Sequence, residues 1–341
     1  MDFSIGLIGT GWVAGKHVDA IAKIKGARVA AVAGRNSSRL AELCRPSGAV
    51  PYAAYRDMLQ SEQLDAVFVL LPPHLHGDCE LACAQKVPAG LVEKPIALDL
   101  ATAERIAAAF ARAGTFAAAA YMNRCRRSVA RARELFAPPN AASVLVEGRW
   151  VGDIPPPAWW RDKATSGGQF VEQCTHLVDI ARFVAGEIVE VSAFAASGFV
   201  NDVEGYATDD AMSVNLRFAS GALGSFVTGC YARPGLYAEG GISMEISSRE
   251  TRCTLSGWDM ELRAELWKGA SAIPAGQAPR LEVEHVGSEE DIFQVEDGLF
   301  IEAAKARDPS LFPSPYADAM RTLAVTLAAN ESADTGRTLR I

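Results

Sequence analysis

Near its start the chain reads Ser4-Ile5-Gly6-Leu7-Ile8-Gly9-Thr10-Gly11-Trp12-Val13-Ala14, an apolar run that breaks into Gly-x-Gly-x-x-Ala. This pattern constrains the fold more than any other in the sequence. A buried strand must turn sharply at Gly9 and enter a helix at once. Gly11 lets the backbone come close to a pyrophosphate, and Ala14 lets the helix pack tightly on the strand. The helix N-terminus then presents free N–H groups and a partial positive charge to an anion. Placed after a strand and before a helix, the loop points to dinucleotide binding through Gly9, Thr10, Gly11, Trp12, Val13 and Ala14.

The segments that follow suit such a unit. Apolar runs at Arg28–Ala33, Ala66–Leu71, Ala89–Val92 and Thr115–Ala119 alternate with helical patterns at His17–Ile24, Ser38–Cys44, Tyr55–Gln60, Gly77–Gln85 and Ala101–Arg112. Strands alternating with helices imply right-handed crossovers and a parallel sheet, and runs apolar throughout imply a sheet covered on both faces. Beyond a helix near Ser128–Phe136 and a turn at Pro138-Pro139-Asn140 the pattern changes. Met212–Phe218 alternates apolar and polar residues, as does Ile242–Ile246. Ser143–Trp150, Glu190–Ala196, Leu223–Cys230, Arg252–Leu255, Glu261–Trp267 and Leu281–His285 are further strands. One helix, Phe170–Val184, interrupts them, and a last helix lies near 316–330. The expected fold is α/β: an N-terminal Rossmann domain over residues 1–122, then an α+β domain over 123–341 with a large, mainly antiparallel open sheet.

Composition removes several classes of function. The 341 residues carry 33 Lys and Arg against 41 Asp and Glu, a net charge of −8, which argues against nucleic acid or an anionic membrane as the main partner. The longest apolar runs are far too short to span a bilayer. The seven cysteines are scattered, with no Cys-x-x-Cys pair and no zinc-finger spacing. With no basic leader at Met1–Gly6, they read as thiols of a cytoplasmic protein.

The second strand bears on cofactor choice. An NAD site usually places Asp or Glu at its tip, on the ribose 2′-hydroxyl. Here the strand ends Gly34-Arg35-Asn36-Ser37-Ser38-Arg39, with no carboxylate. Guanidinium groups bind a 2′-phosphate bidentately and hydroxyls donate to it. Arg35, Asn36, Ser37 and Arg39 therefore favour NADP over NAD. The competing reading is a solvated helix start with Ser37 or Ser38 as N-cap.

Two more motifs complete a set. Ala66–Leu71 runs into Pro72-Pro73-His74-Leu75-His76, and later comes Glu93-Lys94-Pro95. With the glycine loop, the stretch Gly167–His176 and the tail Ser314–Asp318, the chain resembles the Gfo/Idh/MocA oxidoreductases over its whole length. The resemblance implies a Rossmann domain, a second domain whose open sheet forms a homodimer or homotetramer interface, and the Glu93–Lys94 segment at the nicotinamide. It makes Lys94 the catalytic lysine and matches the family's Asp-x-x-x-His to Glu172 and His176, with Glu one methylene longer. The implied activity is an NAD(P)-dependent oxidoreductase acting on a sugar, polyol, cyclitol or related diol. Two alternatives are a glycosidase-type relative that uses its cofactor transiently and a non-catalytic NADP-binding sensor.

The same residues have a chemical reading of their own. Removing hydride from a carbinol leaves a hydroxyl proton that a Lys and a His can share. Glu172 and His176 are spaced i, i+4, and His176 and Asp179 i, i+3, so on one helix all three share a face. Leu71, Pro72 and His76 stand at the carboxyl end of a parallel strand, where cofactors bind; the competing reading has His74 or His76 capping the next helix. Glu93 holds the cofactor or supports Lys94. Tyr121 and Arg124 leave the last Rossmann strand as candidate substrate contacts, with Trp160 and Arg161 from the loop Asp153–Lys163, whose indoles otherwise simply pin the loop by burial. Arg126, Arg127, Arg131 and Arg133 read as a solvated helix face, and His17 and His285 as packing or surface groups. No metal site is expected.

Overall fold

In a computed structural model, which describes residues 2–137, 142–268, 280–287 and 291–341, the opening apolar run forms β1 (Phe3–Ile8), buried along its whole length. It leads into α1 (Trp12–Ile21), β2 (Ala27–Ala33), α2 (Ser37–Ser47), β3 (Val50–Tyr52) and α3 (Tyr55–Ser61). There follow β4 (Ala66–Val69), α4 (Asp78–Ala84), β5 (Ala89–Val92), α5 (Leu100–Ala113) and β6 (Phe116–Ala119). The six strands pair in parallel in the order β3-β2-β1-β4-β5-β6. The parallel sheet is the one expected from the alternating pattern; its order is doubly wound, and its direction reverses between β1 and β4. Ligands of such sheets bind in the crevice outside the carboxyl ends of the strands at this switch point. The three-residue β3 was not anticipated.

The chain then forms α6 (Arg127–Phe136), β7 (Leu145–Asp153), the single turns α7 (Lys163–Ser166) and α8 (Gln169–Glu172), and α9 (Thr175–Ala185). The turn expected at Pro138–Asn140 lies outside the described residues. Next come β8 (Ile188–Ala196), β9 (Ala211–Phe218), β10 (Leu223–Ala232), β11 (Ile242–Ser247), β12 (Thr251–Ser256), β13 (Glu261–Trp267) and β14 (Leu281–Val286). These strands and β15 (Leu339–Arg340) make a nine-stranded sheet among the described residues, in the order β14-β13-β12-β11-β7-β10-β9-β8-β15. Only the pair β7–β10 is parallel. In β9, Met212, Val214, Leu216 and Phe218 are buried while Ser213, Asn215 and Arg217 are exposed, the alternation read from the sequence. The buried face packs on α6, α9 and the far part of the last helix through Val129, Leu177, Ile180, Phe226 and Val325.

Two further helices close the chain: α10 (Ile292–Ala306), which the sequence reading passed over, and α11 (Tyr316–Thr335). Asp291 caps α10 by accepting from the Phe293 N–H. Phe300 of α10 stacks on Phe116 and meets Phe68 edge-on, so this helix completes the core of the parallel sheet. By contacts one compact unit is Met1–Cys125 with Glu290–Leu323, and the other is Arg126–Glu289 with Ala324–Ile341. The first unit thus holds segment 290–323 besides the residues before the boundary expected at 122.

Three local expectations are corrected. The helix expected over Phe170–Val184 is broken, with α8 ending at Glu172 and α9 starting at Thr175. The Cys174 N–H reaches back five residues to the Gln169 carbonyl at 3.1 Å, and the His176 N–H only three, to Gln173 at 3.2 Å. The Gln173 side chain accepts from the Cys230 thiol at 2.7 Å, which pins this irregular turn to β10. Second, Asn36, not Ser37 or Ser38, caps α2, accepting from the Arg39 N–H at 3.1 Å. Third, Arg126 is no part of a solvated face. It is buried and donates to the Trp258 carbonyl, and Arg131 meets Glu284 through two nitrogens.

No disulfide joins the described cysteines, and among the described residues no helix is long and apolar enough to cross a membrane.

Candidate functional site

The glycine loop sits at the switch point of the parallel sheet. Gly9 has φ +123°, and a Cβ there would overlap the Leu70 carbonyl at the end of β4. Gly34, at the tip of β2, has Thr10 directly against it. Gly11 differs: a Cβ there would meet nothing within 4 Å. The protein's own packing therefore asks for no glycine at Gly11, whereas a ligand drawn close to the backbone would. Gly11 provides no side-chain cap for α1, and the first turn of that helix carries no acid. Its leading N–H groups are thus open to an anion. Ala14 is fully buried, and Val13 packs beside the core. Trp12 is 63% exposed, its ring edge-on to Phe293 with the Lys16 ammonium 5.3 Å away.

At the tip of β2, Arg35, Asn36 and Ser37 are exposed. The Ser38 hydroxyl donates to Asn36 at 2.8 Å, and Arg39 pairs with Glu42 one turn along α2. Of the two arginines, Arg39 is thus engaged along its own helix. Across the switch point, Leu71 and Pro72 follow β4 and are half-buried. His76 is buried, its Nδ1 on Glu80, whose other oxygen accepts from the Gly77 N–H at 2.7 Å. The carboxylate thus fixes the ring on α4.

Glu93 and Lys94 leave the end of β5, both half-buried, and the Lys94–Pro95 peptide is cis. The Glu93 Oε2 accepts from the Lys94 N–H at 2.9 Å. The tail Ser314–Tyr316 bonds both the end of β6 and the residue after this turn. The Ser314 carbonyl accepts from Ala119 at 3.0 Å, and the buried Tyr316 donates to the Ile96 carbonyl at 3.5 Å.

The structure also brings forward residues that sequence reasoning missed. His17 of α1 is fully buried, with Nδ1 2.8 Å from Asp297 and Nε2 3.8 Å from Glu93. Glu296 is buried beside them. Burial alone would lower the His17 pKa, but the charge and hydrogen bond of Asp297, with Glu93 and Glu296, raise it to about 10. Burial pushes Glu296 well above the carboxylate range, and raises Asp297 as well. The available signal was Asp291 before the apolar spacing Ile292, Phe293, Phe300 and Ile301, which marks a capped helix carrying Glu296 and Asp297.

Tyr121 and Arg124 are buried in the first unit. The Arg124 guanidinium bonds the Pro313 carbonyl at 3.1 Å and Asp318 at 2.6 Å, so it braces the tail.

In the second unit, His176 and Glu172 are both buried, and the His176 ring stacks on Trp150 of β7 at 5.6 Å. Because α8 and α9 are separate, Glu172 and His176 do not share the face of one helix, while His176 and Asp179 remain together on α9. The Gln169 amide, also buried, has no hydrogen-bond partner among the described residues. Trp160 stacks on Trp159 at 5.6 Å; its Nε1 and the Arg161 Nε are likewise buried without such partners.

Comparison with known proteins agrees with this geometry. Residues 3–121 match the model of the oxidoreductase family GFO_IDH_MocA, NAD-binding Rossmann fold, and residues 141–257 match the GFO/IDH/MocA C-terminal domain. The chain is 30% identical over 224 residues to myo-inositol 2-dehydrogenase of Thermotoga maritima, covering 64% of this chain and 66% of that protein. The same figures hold for D-xylose 1-dehydrogenase (NADP(+)) 2 of Haloferax volcanii. Both matches span just under two thirds of the relative's own length. Among solved structures, an NAD binding oxidoreductase from Klebsiella pneumoniae superposes with TM-score 0.85 at 20% identity, over 100% of this chain and 99% of that one. Levoglucosan dehydrogenase in complex with NADH superposes with TM-score 0.83 at 20% identity, over 100% and 99%. At that identity the likeness is one of fold.

Proposed function

The chain belongs to the GFO/IDH/MocA family of oxidoreductases, and on that premise we propose that it is an NADP-dependent dehydrogenase of a sugar, polyol, cyclitol or related diol. One observation carries the reading. The glycine loop, the Arg35 tip, the Leu71–Pro72 turn and the Glu93–Lys94 turn all follow carboxyl ends of strands in one parallel sheet, around its switch point. The substrate class is supported by the relatives named for inositol and xylose.

When bound, the nicotinamide supplies the hydride acceptor or donor. The chain's own residues do the rest. The N-terminus of α1, with Gly11 as the point of close approach, holds the pyrophosphate. Arg35 meets the 2′-phosphate, with Asn36, Ser37 and Arg39 beside it. Lys94 takes the hydroxyl proton as hydride leaves the carbinol carbon, and returns it in the reverse direction. For the second unit, the family resemblance assigns proton traffic to His176 and substrate hydroxyls to Glu172, with Trp160 and Arg161 as further substrate contacts.

Cofactor choice is tested by titrating NADP and NAD against the wild type and Arg35→Ala. The wild type is expected to favour NADP, and the variant to lose about tenfold or more in NADP affinity with little change for NAD, as removal of a charge-assisted contact implies. Equal affinity for the two cofactors in the wild type overturns the preference.

A further inference from the structure

The best-buried histidine of the first unit has no part in the reaction proposed above. His17 lies between three carboxylates: Asp297 and Glu296 from α10, and Glu93 from the end of β5. Phe68 of β4 and Phe293 of α10 close its two sides edge-on, at 5.3 and 5.4 Å.

Nδ1 lies 2.8 Å from an oxygen of Asp297 and donates to it when that carboxyl is ionised. A neutral ring would then turn the lone pair of Nε2 towards Glu93, at an ion-pair distance of 3.8 Å, inside a site shielded from water. A protonated ring donates to Asp297 and places its second N–H at ion-pair distance from Glu93, beyond hydrogen-bond reach. The upward shift of the His17 pKa to about 10 has the same cause. Burial pushes Glu296, the third carboxyl of the group, upward.

Glu93 is thereby attracted by charge at one oxygen and hydrogen-bonded at the other. One carboxylate oxygen faces His17 and the other accepts from the Lys94 backbone N–H at 2.9 Å. We propose that His17 is a positioning residue, a permanent imidazolium that anchors the Glu93 carboxylate and through it sets the backbone at Lys94. The chain Asp297–His17–Glu93–Lys94 ties the helix of the glycine loop to the reactive turn. Its consequence for turnover rests on the reading of Lys94 given above; the anchoring itself does not.

The test is made on the full-length protein, by histidine-selective NMR and by amide hydrogen exchange at Lys94. In the wild type, the His17 ring is expected to keep imidazolium shifts from pH 6 to about 9. In Asp297→Asn it is expected to titrate about two pH units lower or more. Lys94 amide exchange is expected to quicken about tenfold in His17→Gln, while Leu91 and Val92 of β5 keep their protection. In Asp297→Asn the same quickening should appear only above the lowered His17 pKa, which a merely structural role would not produce. Should His17→Gln fail to fold, Asp297→Asn carries both readouts. The proposal is overturned by a wild-type His17 that titrates near the ordinary value, or by Lys94 exchange unchanged in the folded variants. It is also overturned by a stoichiometric divalent metal in the purified protein that Asp297→Asn removes, since His17, Glu296 and Asp297 are near enough to share an ion. Neither readout needs turnover, so a failure of the catalytic assignment of Lys94 leaves this test standing.

Discussion

Gly9 and Gly11 stand two residues apart and are required for different reasons. At Gly9 the backbone has φ +123° and the Leu70 carbonyl fills the space of a Cβ, so Gly9→Ala strains the fold itself. About 2–4 kcal/mol of lost stability is expected, read by denaturant unfolding. At Gly11 the space is open, so Gly11→Ala should leave the unfolding midpoint within about 0.5 kcal/mol of wild type and still weaken cofactor binding about tenfold or more. Equal losses of stability in the two variants would contradict the division. Much of the candidate site is legible at this scale, because the glycine loop, Arg35 and Lys94 lie in short local motifs. His17 is not. Its partners Asp297 and Glu93 are 280 and 76 positions away, and no local pattern signals an ion pair closed by the fold.

Strand elements were readable because burial alternates along them, as in β9, or is continuous, as in β1. The helices were less so. α8 and α9 look continuous in sequence, since a change of hydrogen-bond register at Gln173–Cys174 leaves the apolar spacing almost intact. α10 was hidden because it carries Glu296 and Asp297 on its buried side, which blurs an apolar stripe. Between strands, Gly148 of β7 lies under the Phe226 ring of β10, with no room for a methyl group. Gly148→Ala is expected to cost about 2–3 kcal/mol, and Phe226→Leu in the same chain to recover part of it. A double variant no more stable than Gly148→Ala alone would show that the clash lies elsewhere.

At the scale of the whole molecule, the outer face of the nine-stranded sheet carries Phe194 and Val227 in one row, both exposed and both in register with Ser213. Leu223 and Tyr231 extend this apolar surface along β10. Two copies meeting through these strands would bury it. Sedimentation is therefore expected to find a homodimer or homotetramer, and Val227→Glu to shift it towards monomer; a wild type monomeric at micromolar concentration would contradict this. The account as a whole depends on hydride transfer with Lys94 as its proton acceptor. The most direct test follows the absorbance of the reduced nicotinamide while NADP or NADPH is offered with sugars, polyols, cyclitols and their oxo forms, for wild type and Lys94→Ala. The account predicts turnover of at least one such substrate by the wild type. It also predicts a loss of about a hundredfold or more in Lys94→Ala, with cofactor affinity within about threefold. Full activity in Lys94→Ala, or no redox change with any of these compounds by a cofactor-saturated wild type, would contradict it.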